Sequence, residues 1–311
     1  MKNLYQILFF LSGIILLFTS CDKVDYPYEK VASINLDTTL YPNGTWDDYL
    51  ANEYPTFTQN TNTNVNVLIE DYTGHKCLTC PNAADVAHGV HLNNPNRVFV
   101  ASIHSGPGTT SFQSANPNHT KYYTDHTNPD GIAYGNEFKN GYGFFANPQG
   151  NVNRAKGNGL MFTLSGMWQS RADDIMNANV LKANIQSVFN YYSSTNGGFL
   201  HVEIEKKTSE AINMNSVVYV IQDSLVDWQL MPDNSDNEFY VHRDKHLGSI
   251  DNNAFGVNAF TADAAAGDKV ILDYSYKIPN GLDASNMHLL IYVYDTDTYE
   301  ILQVIKQKIQ D

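Results

Sequence analysis

The sequence predicts an α/β domain followed by an antiparallel, immunoglobulin-like β-sandwich. Three observations lead there. Val65–His104 holds an apolar run, a helix-spaced segment and a second apolar run in succession, the pattern of a strand–helix–strand unit. From Phe199 onward the strong signals are all strands: "FLHVEIE", "SVVYVIQDS", "KVILDYSYKI", "MHLLIYVYD" and "YEILQVIKQKI", enough for about six to eight strands with their weaker neighbours. Between the two lies "SSTNGG", Ser193–Gly198, polar and glycine-rich, which reads as a flexible boundary. The 311-residue chain is long enough for two cores. Its net charge of −14 and lack of any Lys/Arg block argue against a nucleic-acid partner.

Taken in order, "MKNLYQILFFLSGIILLFTSC" opens with one Lys, runs apolar from Ile7 to Phe18 with a break at Ser12 and Gly13, and ends in small residues before Cys21. It is too short for a membrane span and fits a secretory signal over residues 1–20. "FTSC" resembles the lipobox of bacterial lipoproteins, with Phe18 where Leu is usual. That resemblance implies cleavage before Cys21 and a lipid anchor on its sulfur, holding the chain on a membrane. Residues 21–60 then read as anchor and tether, polar with scattered Pro, Asn and Thr. The unit over 65–104 implies a parallel strand pair with a right-handed crossover. Residues 105–141 form an insertion rich in Gly, Pro, Asn and His, with a short helix expected around Gly135–Gly141; it is too long for a plain loop. A longer helix is expected from Met167 to Tyr192, broken near Asn177–Asn179. No internal repeat is present.

The cysteine count then becomes informative. With Cys21 lipidated, one pair remains, Cys77 and Cys80 in "GHKCLTCPNA". An exported setting permits a disulfide, but a C-x-x-C closes so small a loop that it adds little as a staple. At a strand-to-helix junction, unpaired N–H groups and the helix dipole favour a thiolate on the first Cys. His75 and Lys76 add positive charge there, Cys80 is placed to resolve a mixed disulfide, and Pro81 fits a first helical turn. Zinc bound by Cys77, Cys80, His88 and His91 fails, because a continuous helix carries His88 about 12 Å along its axis from Cys80. Those two histidines read as solvent-facing, and His242 and His246 as a surface ladder. No metal and no cofactor are expected.

The stretch "LIEDYTGHKCLTCPNA" resembles the active-site region of the thioredoxin superfamily. More closely, Thr73, Gly74, Cys77, Cys80 and Pro81 resemble the outer membrane protein twenty-eight-related lipoproteins, a family with a signal, a lipobox, a thioredoxin-like domain and a C-terminal β domain. The resemblance implies a thioredoxin-like domain over 61–194, interrupted at 105–141, and a β-sandwich over 195–311. It implies Cys77 as nucleophile, Cys80 as resolving thiol, Pro148 of "FANPQG" as the superfamily's cis-proline, and Asp71 as its buried acid. Asp71 shares strand parity with Val65, Val67 and Ile69; an exposed acid at the strand end is the competing reading, and Glu70 competes for the role. "YVHRDKH" and "VYDTDTYEILQ" look familial without known chemistry. Two departures stand out: no Trp precedes Cys77, and the intervening dipeptide is Leu78–Thr79, so oxidant and reductant are not distinguished.

Two functions follow. One is a thiol–disulfide oxidoreductase acting on exported protein thiols or disulfides, anchored at the outer membrane with a periplasmic or surface-facing domain. The other is a binding or structural lipoprotein whose thioredoxin-like domain is not catalytic. Shielding of Cys77 by residues 105–141 would favour the second. Asp22 resembles an inner-membrane retention signal, and Asp22, Lys23 and Asp25 a surface-export signal, so the leaflet stays open.

Overall fold

In the computed structural model, which describes residues 36–108, 111–157 and 159–310, the chain joins the fold well before residue 60. Within the stretch read as a tether, a 3₁₀ turn (Thr38–Leu40) precedes helix α1 (Trp46–Asn52). Thr45 and Asp48 close a reciprocal capping box that satisfies two backbone donors. Tyr49 is fully buried, stacks on Trp46 at 4.7 Å, and packs on Phe199 at 4.9 Å. Its hydroxyl pairs with Nε2 of His201, whose Nδ1 bonds Asp273 at 2.7 Å. The signal stretch and Cys21 lie outside the described residues. Among the described residues no helix is long and apolar enough to cross a membrane.

Strand β1 (Val67–Thr73) is buried along its whole length, which explains an apolar run without alternation. Helix α2 (Cys80–Asn93) buries Ala83, Ala87 and Val90, one stripe at helical spacing. Strand β2 (Val98–His104) pairs parallel to β1 from Val67↔Val98 to Thr73↔His104, as the strand–helix–strand pattern requires. Helix α3 (Pro129–Phe138) is capped by Asn128, whose side chain accepts from Gly131 N–H. It starts earlier than expected. Strand β3 (Gln149–Val152) runs antiparallel to β1.

The long helix expected over 167–192 is corrected. Helix α4 (Trp168–Ala178) ends at Asn179, which turns left-handed at φ 48° as a helix C-terminus often does. Ala183–Tyr192 is strand β4, paired antiparallel to β5 (Gly197–Lys206) from Ala183↔Lys206 to Tyr192↔Gly197. The stretch Ser193–Gly198, expected to be a flexible boundary, is thus the turn of a hairpin at Ser193–Asn196 and the first two residues of β5. β-Branched and aromatic residues in "ANIQSVFNYY" suit a half-buried strand.

The remaining strands are β6 (Met214–Gln222), β7 (Leu225–Leu230), β8 (Asp236–His242), β9 (Lys245–Ser249), β10 (Val257–Phe260), β11 (Lys269–Lys277), β12 (Met287–Asp295) and β13 (Ile301–Lys308). A mixed sheet runs β13-β12-β6-β9-β2-β1-β3, with β10 also on β6. β9 joins the halves, antiparallel to β6 and parallel to β2 at Ser102↔Lys245. An all-β sheet, β11-β5-β4, packs on it, and β7–β8 stands apart as a hairpin.

Alternation along the strands sorts two cores. Val218 and Val220 of β6, with Leu289 and Ile291 of β12, face Leu200, Val202 and Leu272 of the three-stranded sheet. Tyr219 and Tyr292 face an aromatic core with Tyr134, Phe138, Phe144 and Phe162. β1 divides likewise. Leu68 and Tyr72 enter the aromatic core, whereas Val67 and Ile69 pack with Ala83 and Ala87 of α2 and Trp168 of α4.

Candidate functional site

Cys77 and Cys80 form a disulfide at the entrance to α2. Cys77 lies in the turn before the helix, where its N–H donates to Gly74 O (3.0 Å), and Cys80 is the first helical residue. The helix therefore begins at the second thiol rather than the first. Both cysteines are 1% exposed.

Two covers account for that burial. The first is the loop beginning the 105–141 insertion. Lys76 N–H donates to Phe112 O at 3.0 Å, His75 Nε2 donates to Ser114 O at 3.0 Å, and Gln113 donates to Thr73 O at 2.7 Å. Gly74 permits this approach, since a Cβ there would stand 2.6 Å from Phe112 O. Gly74→Ala is accordingly expected to push the loop off, lowering stability by about 1–3 kcal/mol while speeding disulfide reduction; urea titration and a reduction time course read the two effects.

The second cover is the β7–β8 hairpin. Leu230 N–H donates to His75 O at 2.8 Å, and the Gln229 amide donates to Cys77 O at 3.2 Å. Lys121 and Tyr122 of the loop both bind Asp236 of the hairpin, the lysine at 2.6 Å. No local signal marks Gln229 in the sequence; only the sheet topology brings it here.

Pro148 follows a cis peptide bond from Asn147. The Tyr72↔Gln149 pairing sets it beside the end of β1, and Gln113 joins Asn147 to Thr73 O at 3.3 and 2.7 Å. Asp71 is buried, not exposed at the strand end. It lies on the α2 side of β1, lining a cavity of about 20 Å³ with Pro81, His104 and His242. Burial pushes its carboxyl up to about 7. Glu70 points the other way, and its carboxylate accepts Arg154 Nε at 2.8 Å and Nη2 at 2.7 Å.

The histidines depart most from expectation. His88 and His91 are half-buried rather than solvent-facing, with His91 Nδ1 bonded to Val98 O. His242 and His246 lie on β8 and β9 and are buried, so they form no surface ladder. With His104 and His126, His242 makes a triangle of rings 5.0–5.4 Å apart, and His75 joins His126 at 5.3 Å. Lys245 Nζ donates to His126 Nδ1 at 3.0 Å, and His126 Nε2 faces Asp227 at 3.2 Å. Burial and neighbouring cations push His126 down to about 3 and His242 to about 4. Among the described residues no three His, Cys, Asp or Glu side chains are placed to hold a metal ion.

The arrangement offers a two-electron disulfide, a buried carboxyl that titrates near neutrality, and a cluster of neutral imidazoles beneath the covers. The family model for outer membrane protein Omp28 matches residues 135–311. No curated protein matches the chain in sequence. Among solved structures, HBP35 of Porphyromonas gingivalis aligns at a TM-score of 0.61 and 13% identity, over 80% of this chain and 76% of that one, a likeness of fold. A domain of the outer membrane lipoprotein Omp28 from Porphyromonas gingivalis aligns at 20% identity over 42% of this chain and 90% of that domain, with a TM-score of 0.26, too low to carry an argument.

Proposed function

The chain belongs to the Omp28 family of outer membrane proteins, and from that premise we propose that it is a lipid-anchored thiol–disulfide protein. Cys21 would carry the anchor. The βαβ unit would be a thioredoxin-like domain and the C-terminal strands an immunoglobulin-like sandwich. The observation that supports redox chemistry best is the place of the Cys77–Cys80 disulfide between β1 and α2, with the Asp71 carboxyl buried on the α2 side of that strand.

In this reading an exported protein's thiolate attacks Cys77 and Cys80 leaves as a thiolate. Asp71, titrating near neutrality, supplies or accepts the proton that transfer needs. Partners would be protein thiols or disulfides of the cell envelope.

The burial of both cysteines favours a second reading, a binding or structural lipoprotein with a permanently closed disulfide. Equilibration in glutathione and dithiothreitol buffers decides between them. A working centre is expected between about −270 and −120 mV, whereas a value below about −300 mV makes the disulfide structural.

A further inference from the structure

The four imidazoles of the cluster come from four separate segments, and two of them belong to the covers. His75 precedes the disulfide and His104 ends β2, both on the body of the molecule. His126 closes the covering loop and His242 ends the covering hairpin. We propose that this cluster is an acid-released latch: protonation of His126 and His242 lifts the covering loop and hairpin from Cys77–Cys80 and admits a reducing dithiol. The proposal rests on the redox reading above.

The charges facing the cluster explain why it holds only while neutral. Lys245 donates to His126 from β9, and Lys76 stands beside His75. The carboxylates acting on them are Asp227 from β7 and Asp125 from the covering loop. Asp71 shares the adjoining cavity with His104 and His242, and the Tyr240 ring lies 4.8 Å from His242. Two added protons would therefore enter a buried site that already contains an ammonium group. Both ring nitrogens of His104 and Nε2 of His242 lie buried without a hydrogen-bond partner, and Nδ1 of His126 already accepts from Lys245. A proton added at His242 therefore finds no acceptor, and one added at His126 Nδ1 faces an ammonium group. Opening instead gives each imidazole water, where its ordinary value of about 6.5 applies. Each then favours the open form by about thirtyfold at pH 5, and two together by about a thousandfold.

Once open, the chemistry balances simply. The dithiol gives two electrons and two protons, the Cys77–Cys80 bond breaks to two thiols, and the dithiol closes to its own disulfide.

The test follows reduction of Cys77–Cys80 in the full protein by dithiothreitol. The rate is divided at each pH by that of an unstructured C-x-x-C peptide disulfide, which cancels the reagent's own pH dependence. The ratio is expected to rise about sixtyfold between pH 6 and 5, while near-ultraviolet circular dichroism of the core stays unchanged. His126→Gln and His242→Gln should each remove about one tenfold step from that slope. A flat ratio overturns the latch, as does a rise that merely tracks loss of the circular dichroism signal. If the potential nevertheless falls in the working range, the redox reading survives that failure. If the disulfide resists reduction at every pH while the fold persists, both fail.

Discussion

Glu70→Gln is expected to cost about 3–5 kcal/mol, the usual penalty for stranding one member of a buried ion pair. Glu70 and Arg154 are fully buried and joined by two charge-assisted hydrogen bonds. Tyr219 donates to Glu70 at 2.7 Å and Asn151 at 2.8 Å, so the carboxylate is held from several sides. Burial alone would raise the Glu70 carboxyl; the Arg154 guanidinium and these donors more than offset it and leave it below the ordinary range. The glutamine would keep the volume and lose the charge, leaving the Arg154 cation without a counter-charge. It would be held by hydrogen bonds to the Tyr219 and Tyr292 hydroxyls and by cation–π attraction to the rings of Tyr134, Phe138 and Tyr292. A fall in the thermal midpoint of about 10 °C should accompany it in calorimetry. Glu70→Gln combined with Arg154→Met should recover most of the loss, because removing both charges removes the stranded one. A double variant no better than the single would sink the argument.

Asp71→Asn should act in the opposite direction, stabilising the protein by about 4 kcal/mol at pH 8. The folded state holds the Asp71 proton up to about pH 7 because burial disfavours the carboxylate. The unfolded chain releases it near pH 3.9. Folded protein therefore binds more protons between those values, so stability falls as pH rises through that window and is flat above it. The amide cannot ionise and escapes the penalty. Urea titrations at pH 5 and pH 8 measure it: the variant should gain about 4 kcal/mol at the higher pH and about 1.5 kcal/mol at the lower. The same substitution should slow thiol–disulfide exchange if Asp71 handles the proton, so stability and exchange rate would move apart. Equal gains at both pH values would show that Asp71 does not titrate near neutrality.

Local chemistry made the centre of the molecule readable. The apolar runs of β1 and β2 and the Cys80–Pro81 helix start all express themselves within a few residues of sequence. Asp71 was left open: parity with Val67 and Ile69 pointed to burial and its place near the strand end to exposure, and only the full burial of β1 decides for the first. Two consecutive acids inside "VLIEDY" carried a further signal, since one of them needed a buried cation. Arg154, 84 positions away from Glu70, answers it. β4 was harder, because "ANIQSVFNYY" mixes polar and aromatic residues along a half-buried strand and continues a helix-like segment. The covers and the histidine cluster had no local signature at all. His126 and His242 stand 116 positions apart and meet only because β9 inserts beside β2, and a lone histidine in a polar loop has no periodicity to betray burial.

That insertion of β9 sets a timetable for the growing chain. β2 emerges at residues 98–104, but its outer neighbour spans residues 245–249. An outer membrane protein must cross the inner membrane before it folds, and its amino-terminal half would arrive with one flank of its sheet unsatisfied. Contacts of such long sequence separation form late, and an open strand flank invites pairing with other chains. Maturation of this protein therefore hinges on its last third, and truncation there would leave the early strands as an aggregation-prone fragment rather than a smaller working domain.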